Sequence, residues 1–285
     1  MNGSFAVLNI AAYRFVACDD PGSWVPDLRE RCESLQLKGT IIVANEGINL
    51  FLAGSEGAIE SFLEWLAHDP RFVDRDGYQA FEHLEVKRSL SAAQPFKRLR
   101  IKHKPEIVTM RDANIRPAAG RASAIAPERL AAWLAQGHDD EGRAVVLLDT
   151  RNSFEVEQGT FTGARHLSLA RFDAFPAAIE SVRSELREQT VVTFCTGGIR
   201  CEKAALHMRD IGFERVLQLD GGILNYFDKV GGAYWNGACF VFDERVALDA
   251  KLEARPVDAT ASDATKTISS VACASLPRRS SPAPR

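Results

Sequence analysis

Apolar residues recur along this chain with two periods, and the changes between them mark out its elements. Phe5–Phe15 alternates, with Ala6, Leu8 and Ile10 on one face, so it predicts a strand. Pro21 to Leu37 carries Trp24, Leu28, Cys32 and Leu35 at helical spacing. Gly39–Ala44 and Ile48–Ala53 are two further strands joined by the turn chemistry of Asn45-Glu46-Gly47, a predicted hairpin. A second helix runs over Ser55–Ala67, capped by Ser55, with Ile59, Phe62, Leu63 and Leu66 inward. A strand around Phe81–Lys87 follows, completing the order βαββαβ of the ferredoxin-like split motif.

The next segment, Pro95–Ile107, alternates charge with hydrophobicity. Arg98, Arg100, Lys102 and Lys104 share one face of an extended piece, with Leu99 and Ile101 on the other and Lys97, Lys87 and Arg88 nearby. Such a row is either a solvated strand face or a track for a phosphate backbone. Residues 111–123 lack periodicity and are rich in turn formers, so they are expected to link two domains, the first spanning residues 1–110.

Beyond this linker the pattern becomes strand and helix in alternation. Pro127–Gln136 predicts a short helix and Ala144–Asp149 an apolar strand. Phe161–Leu169 is a shorter extended piece, Phe172–Glu188 a helix, Thr190–Phe194 a strand and Glu202–Ile211 a helix. Arg215–Leu219 is another strand, and a helix begins at Gly222–Phe227. Alternation of this kind implies a compact parallel α/β sheet, expected over residues 124–236. Residues 237–253 form a short extension. Residues 254–285, rich in Ala, Ser, Thr, Pro and Arg without a period, are expected to be disordered.

Composition narrows the chemistry. The chain has 285 residues, 46% of them hydrophobic, enough for two cored domains. Its formal net charge of −3 gives no global attraction to nucleic acid or DNA, so any RNA contact depends on the local basic row. No apolar run approaches a membrane span, and the first residues look like a strand and not a leader. Six dispersed cysteines suit a reducing cytoplasm. No CxxC, HExxH, GxGxxG or GxxxxGK[ST] occurs, so neither a metal nor a nucleotide cofactor is expected.

One cysteine stands apart. Thr190–Phe194 runs directly into Cys195, followed by Thr196-Gly197-Gly198-Ile199-Arg200 and a helix starting near Cys201. A strand end, a glycine loop and a helix N-terminus converge backbone N–H groups on one sulfur, which favours a thiolate. A cysteine phosphatase would need an arginine six positions after its nucleophile, where this chain has Cys201; Arg200 comes one residue early. Sulfur transfer through a persulfide and a buried packing cysteine remain as alternatives. Cys201 is assigned a supporting role, and Arg200 either charges the loop or pairs with Glu202 or Asp220. Asp149 and Arg151 are expected to anchor the sheet end.

Three stretches, LLDTRNSFEVEQGTFTGA, VVTFCTGGIRCEKAALHM and VLQLDGGILNYF, resemble a rhodanese domain. With IIVANEGINLFLAG and PFKRLRIKHKPEIV, the chain from about residue 5 to Leu248 is similar to the rhodanese-containing tRNA uridine-34 5-hydroxylases. That resemblance implies oxygen-dependent formation of 5-hydroxyuridine at the wobble position, with O2 as co-substrate and an electron donor the residues do not identify. It implies an anticodon loop as partner and carries the family's active-site cysteine onto Cys195. It also shifts Lys97, Arg98, Arg100, Lys102 and Lys104 towards RNA contact. Some relatives carry paired cysteines after the CFVFDERVA segment, whereas here Cys273 stands alone. Two other functions stay open: rhodanese-type sulfur transfer to a small acceptor, and a non-catalytic RNA-binding module. Oligomeric state is not legible.

Overall fold

A computed structural model of the protein describes residues 6–255. The elements of its first half are β1 (Val7–Phe15), α1 (Trp24–Ser34), β2 (Lys38–Ala44), β3 (Gly47–Gly54), α2 (Glu56–His68), β4 (Val86–Ser91) and β5 (Leu99–His103). They build a five-stranded sheet in the order β4-β1-β3-β2-β5. Its first four strands follow the ferredoxin-like arrangement, and the basic segment adds β5 at the edge, parallel to β2. Alternation decides the two faces. Leu8, Ile10, Ile41, Leu50 and Leu52 form the buried core under the two helices. Asn9, Ala11, Tyr13, Phe51 and Lys87 point the other way.

Ser55 caps α2 as predicted, its Oγ accepting from Ala58 N at 3.3 Å. The strand expected around Phe81–Lys87 lies later, at Val86–Ser91. Phe81 is instead a core residue, its ring edge-on to Trp24 with centroids 5.5 Å apart. A large buried aromatic that anchors a loop mimics a strand residue in a pattern based on hydrophobicity.

The second half contains β6 (Ala124–Ile125), α3 (Pro127–Gln136), β7 (Val145–Asp149), α4 (Ser153–Val156), β8 (Gly159–Phe161), β9 (Arg165–His166), α5 (Phe175–Ser181), α6 (Arg183–Leu186), β10 (Thr190–Phe194), α7 (Ile199–Asp210), β11 (Val216–Leu219) and α8 (Gly222–Val230). The sheet order is β6-β11-β10-β7-β9, parallel throughout. β10 is central and buried at every residue, as its unbroken apolar run implies. The helix expected over Phe172–Glu188 is broken into a 3-10 turn at Phe172–Ala174, then α5 and α6, with Val182 as the joint.

Residues 111–123 pack more closely than a linker pattern implies. Ile115 and Ala122 are buried with Met110 in the core of the second half. After α8 come β12 (Trp235–Gly237), β13 (Cys239–Phe240) and β14 (Ala247–Leu248). The β13–β14 hairpin returns to the first sheet, where Arg245 Nη1 donates to Ser89 Oγ at 2.7 Å. Ala254 and Arg255, expected to begin a disordered tail, pair with this hairpin. Cys273 and the rest of that predicted tail lie outside the described residues. No described helix is long and apolar enough to cross a membrane.

Candidate active site

Cys195 follows the last residue of β10, at the carboxyl end of a central parallel strand, where sheets of this type hold ligands. The loop after it turns tightly enough for Gly198 N to donate to Cys195 Sγ at 3.2 Å. Gly198 has φ +100°, and a Cβ there would sit 2.9 Å from the Tyr13 hydroxyl oxygen. On its far side the loop is held by the start of α8. Ile223 N donates to Cys195 O at 2.9 Å and Leu224 N to Thr196 O at 3.1 Å. Gly222, at φ +70°, makes this possible, because a Cβ there would lie 2.5 Å from Cys195 O.

Burial is the largest influence on the Cys195 thiol and pushes it up. The Cys201 thiol as donor, the Arg200 guanidinium and the N–H groups of Arg200 and Cys201 outweigh it and hold the thiol at about 5. Burial pushes Cys18, Cys32 and Cys239 up to about 12, and Cys201 is also raised. Among the described cysteines, Cys195 is the one whose surroundings lower the thiol and favour the thiolate. Cys201 stays protonated as its donor, with its own Sγ 3.7 Å from Thr150 Oγ1.

Arg200 does not reach Glu202 or Asp220. Its guanidinium forks onto Glu155 of α4, Nη1 to Oε2 at 2.5 Å and Nη2 to Oε1 at 2.8 Å. The carboxylates expected to receive it are held by Arg121, at 3.1 Å from Glu202 and 3.0 Å from Asp220. Sequence distance misled here: Glu155 is 45 residues away and is placed only by the fold. Asp149 and Arg151 pair at 2.6 Å, both fully buried, and Arg151 also donates to Gly159 O. They hold the sheet end, as expected.

The loop faces the open side of the first sheet across a cavity of about 780 Å³. Thr196, Gly197 and Arg200 form one wall, Tyr13, Phe51 and Lys87 the opposite one, and Phe242 of the terminal hairpin a third. Thr196 and Asn152 also belong to this lining, and the Asn152 side chain caps α4, with Glu155 N donating to it and the Glu155 carboxylate accepting from Asn152 N at 3.1 Å. Cys195 itself is completely buried behind Thr196 and Gly197.

Side chains from the first sheet and its following segment fasten α7 in place. Tyr13 OH donates to Glu202 Oε1 at 2.9 Å. Lys203, almost wholly buried, sits between Glu46 at 2.8 Å and Glu106 at 2.7 Å. His207 Nδ1 lies 3.1 Å from Asp112.

Two family models match the chain: the UPF0176 acylphosphatase like domain over residues 7–107 and the Rhodanese-like domain over residues 130–229. A Cupriavidus necator protein named tRNA uridine(34) hydroxylase is 54% identical over 247 residues, 87% of this chain and 84% of its own length. The chain belongs to the tRNA uridine(34) hydroxylase family. Proteins of the same name from Cupriavidus taiwanensis and Burkholderia thailandensis are 55% and 53% identical, over 87% and 86% of this chain and 84% and 81% of theirs.

The five basic residues expected to meet RNA lie outside the cavity. Lys97 is paired with Glu244 at 3.2 Å, so it is partly neutralised. Arg98, Arg100, Lys102 and Lys104 have no carboxylate partner among the described residues. Arg100 and Lys102 stand opposite Thr40 and Ile42 of β2, on the same sheet face as the cavity wall. The sequence reasoning missed Tyr13, Asn152 and Glu155, and grouped Lys87 with the basic row, whereas it lines the cavity on β4. The alternation of β1 could have flagged Tyr13 as facing away from the core; nothing local marks the others.

Proposed function

We propose that the protein hydroxylates uridine at wobble position 34 of tRNA to 5-hydroxyuridine, with Cys195 as nucleophile, O2 as co-substrate and an external two-electron donor that reduces the second oxygen atom to water. The observation that carries this reading is the cavity, which sets an acidic cysteine loop opposite the face of a second sheet whose edge strand is basic. A single-stranded loop base can enter such a space without duplex opening. Unneutralised Arg98, Arg100, Lys102 and Lys104 suit its phosphates.

Uracil C5 reacts poorly with oxygen until electron density is raised there. Addition of the Cys195 thiolate to C6 supplies that density, with the loop N–H groups holding the sulfur ready. The sulfur is reached when the base displaces the Thr196–Gly197 wall. At Gly197 the wall is bare backbone, and a built Cβ there meets nothing within 4 Å.

The test is nucleoside mass spectrometry of tRNA from cells lacking the protein, complemented with wild type or Cys195→Ala. Restoration by wild type alone supports the reading. Unchanged tRNA in the deletion overturns it in favour of sulfur transfer, and rescue by Cys195→Ala leaves only a binding role.

A further inference from the structure

Four cationic side chains line the cavity, and three of them are neutralised. Arg88 forks onto Glu60, Arg200 onto Glu155, and Arg245 onto Asp243 at 2.6 Å. Lys87 is different. Its side chain is only 12% exposed, yet its nearest carboxylate, Glu85, is 3.8 Å away and itself mostly in solvent. Lys203, more deeply buried at the domain boundary, shows what a structural ammonium looks like here, with two carboxylates below 3 Å. Burial without a close counter-ion is unfavourable for a lysine that only packs.

Its position is fixed by the sheet. Lys87 stands opposite Ala11 in the β4–β1 register, and its Nζ lies 5.2 Å from the centre of the Tyr13 ring. That ring ends in the hydroxyl that seats against Gly198, whose N–H holds the Cys195 sulfur. The Tyr13 ring thus bridges the two walls, with the ammonium over its face and its hydroxyl against the sulfur cradle.

We propose that Lys87 is a catalytic residue contributed by the first sheet, its ammonium hydrogen-bonding O4 of the target uracil. This rests on the addition chemistry given above. The sulfur lone pair forms the S–C6 bond, the C5=C6 pair moves to C4–C5, and the carbonyl pair moves onto O4. One negative charge passes from sulfur to O4, no external electron is used, and the proton stays on Lys87. A single cation, only loosely paired with Glu85, in a largely apolar cavity suits one carbonyl oxygen. A phosphodiester would call for more than one, and the other cations of the wall are occupied.

The experiment uses the full-length protein and tRNA carrying 5-fluorouridine at position 34, whose fluorine cannot leave as a cation, so the sulfur adduct persists. Wild type should form the adduct. Lys87→Met should form it about 100-fold more slowly, the cost of removing one oxyanion donor, with tRNA affinity changed less than about threefold. Lys87→Arg should recover part of the rate, and thermal unfolding should show all three proteins folded. Equal rates for wild type and Lys87→Met overturn the role of Lys87 alone. A loss of affinity matching the loss of rate, with a shallower salt dependence, overturns it in favour of a phosphate contact. No adduct with wild type overturns the addition chemistry and this role together.

Discussion

The Tyr13 hydroxyl and Glu202 Oε1 are 2.9 Å apart across 189 residues of sequence. This bond joins the first sheet to the opening turn of α7, one position after Cys201. Burial raises the Glu202 carboxyl above its usual range, so at moderately acidic pH it begins to lose its charge. Tyr13→Phe keeps the ring under Lys87 but removes the donor. It should cost about 1 kcal/mol of stability, the net worth of one such bond, read as a lower urea midpoint. Cellular 5-hydroxyuridine should fall as the cradle loosens.

Lys203 lies between Glu46 and Glu106 with almost no solvent contact. Removing a charge from such a cluster leaves carboxylates unpaired, at a cost of about 3–5 kcal/mol. Lys203→Met should therefore destabilise strongly in denaturant unfolding, and adding Glu46→Gln with Glu106→Gln should recover part of the loss. Burial raises the Glu106 carboxyl, but Lys203 and the N–H groups of Met110 and Arg111 outweigh this and hold it low. The contribution of Glu106 to stability is therefore present above the unfolded carboxylate range and is lost as pH falls through the depressed value.

The Cys195 thiol held at about 5 predicts a thiolate absorbance near 240 nm that is complete at neutral pH and disappears as pH falls through about 5. Cys195→Ser should remove that transition. Glu155→Gln should shift it by less than Arg200→Met, because the guanidinium acts on the sulfur directly and Glu155 only aims it.

Charge reversal at Arg100 and Lys102 should weaken tRNA binding without touching the thiolate titration. If each meets one phosphate, the logarithmic salt slope should become shallower by about 1.4, at about 0.7 per single-strand phosphate. Filter binding at several salt concentrations checks this.

Elements set by local rules were legible in the sequence. The Ser55 cap, the hairpin at Asn45-Glu46-Gly47, the α3 bounds and the strand–loop–helix around Cys195 all follow from short-range patterning. The misplaced strand at Phe81 and the broken helix after Phe172 failed where hydrophobicity served long-range packing. The ion pairs of the site were invisible for the same reason. Nothing near Arg200 points to Glu155, and nothing near Lys203 points to Glu46. The Glu202-Lys203 pair in CTGGIRCEK reads locally as helix surface, whereas both residues fasten one half of the molecule to the other.

The complete enclosure of Cys195 has a consequence for selectivity in time. An exposed thiolate of such acidity would be consumed by any passing peroxide or electrophile. Here the sulfur is reactive by charge and inert by access, and the two properties are separable. Thr196 and Gly197 stand between it and the cavity, so reagents too small to press on that wall meet a closed surface. A molecule bulky enough to fill the cavity supplies its own route in. On the proposed role of Cys195, discrimination then precedes bond making, and fit to the chamber, not nucleophilicity, decides what the sulfur meets.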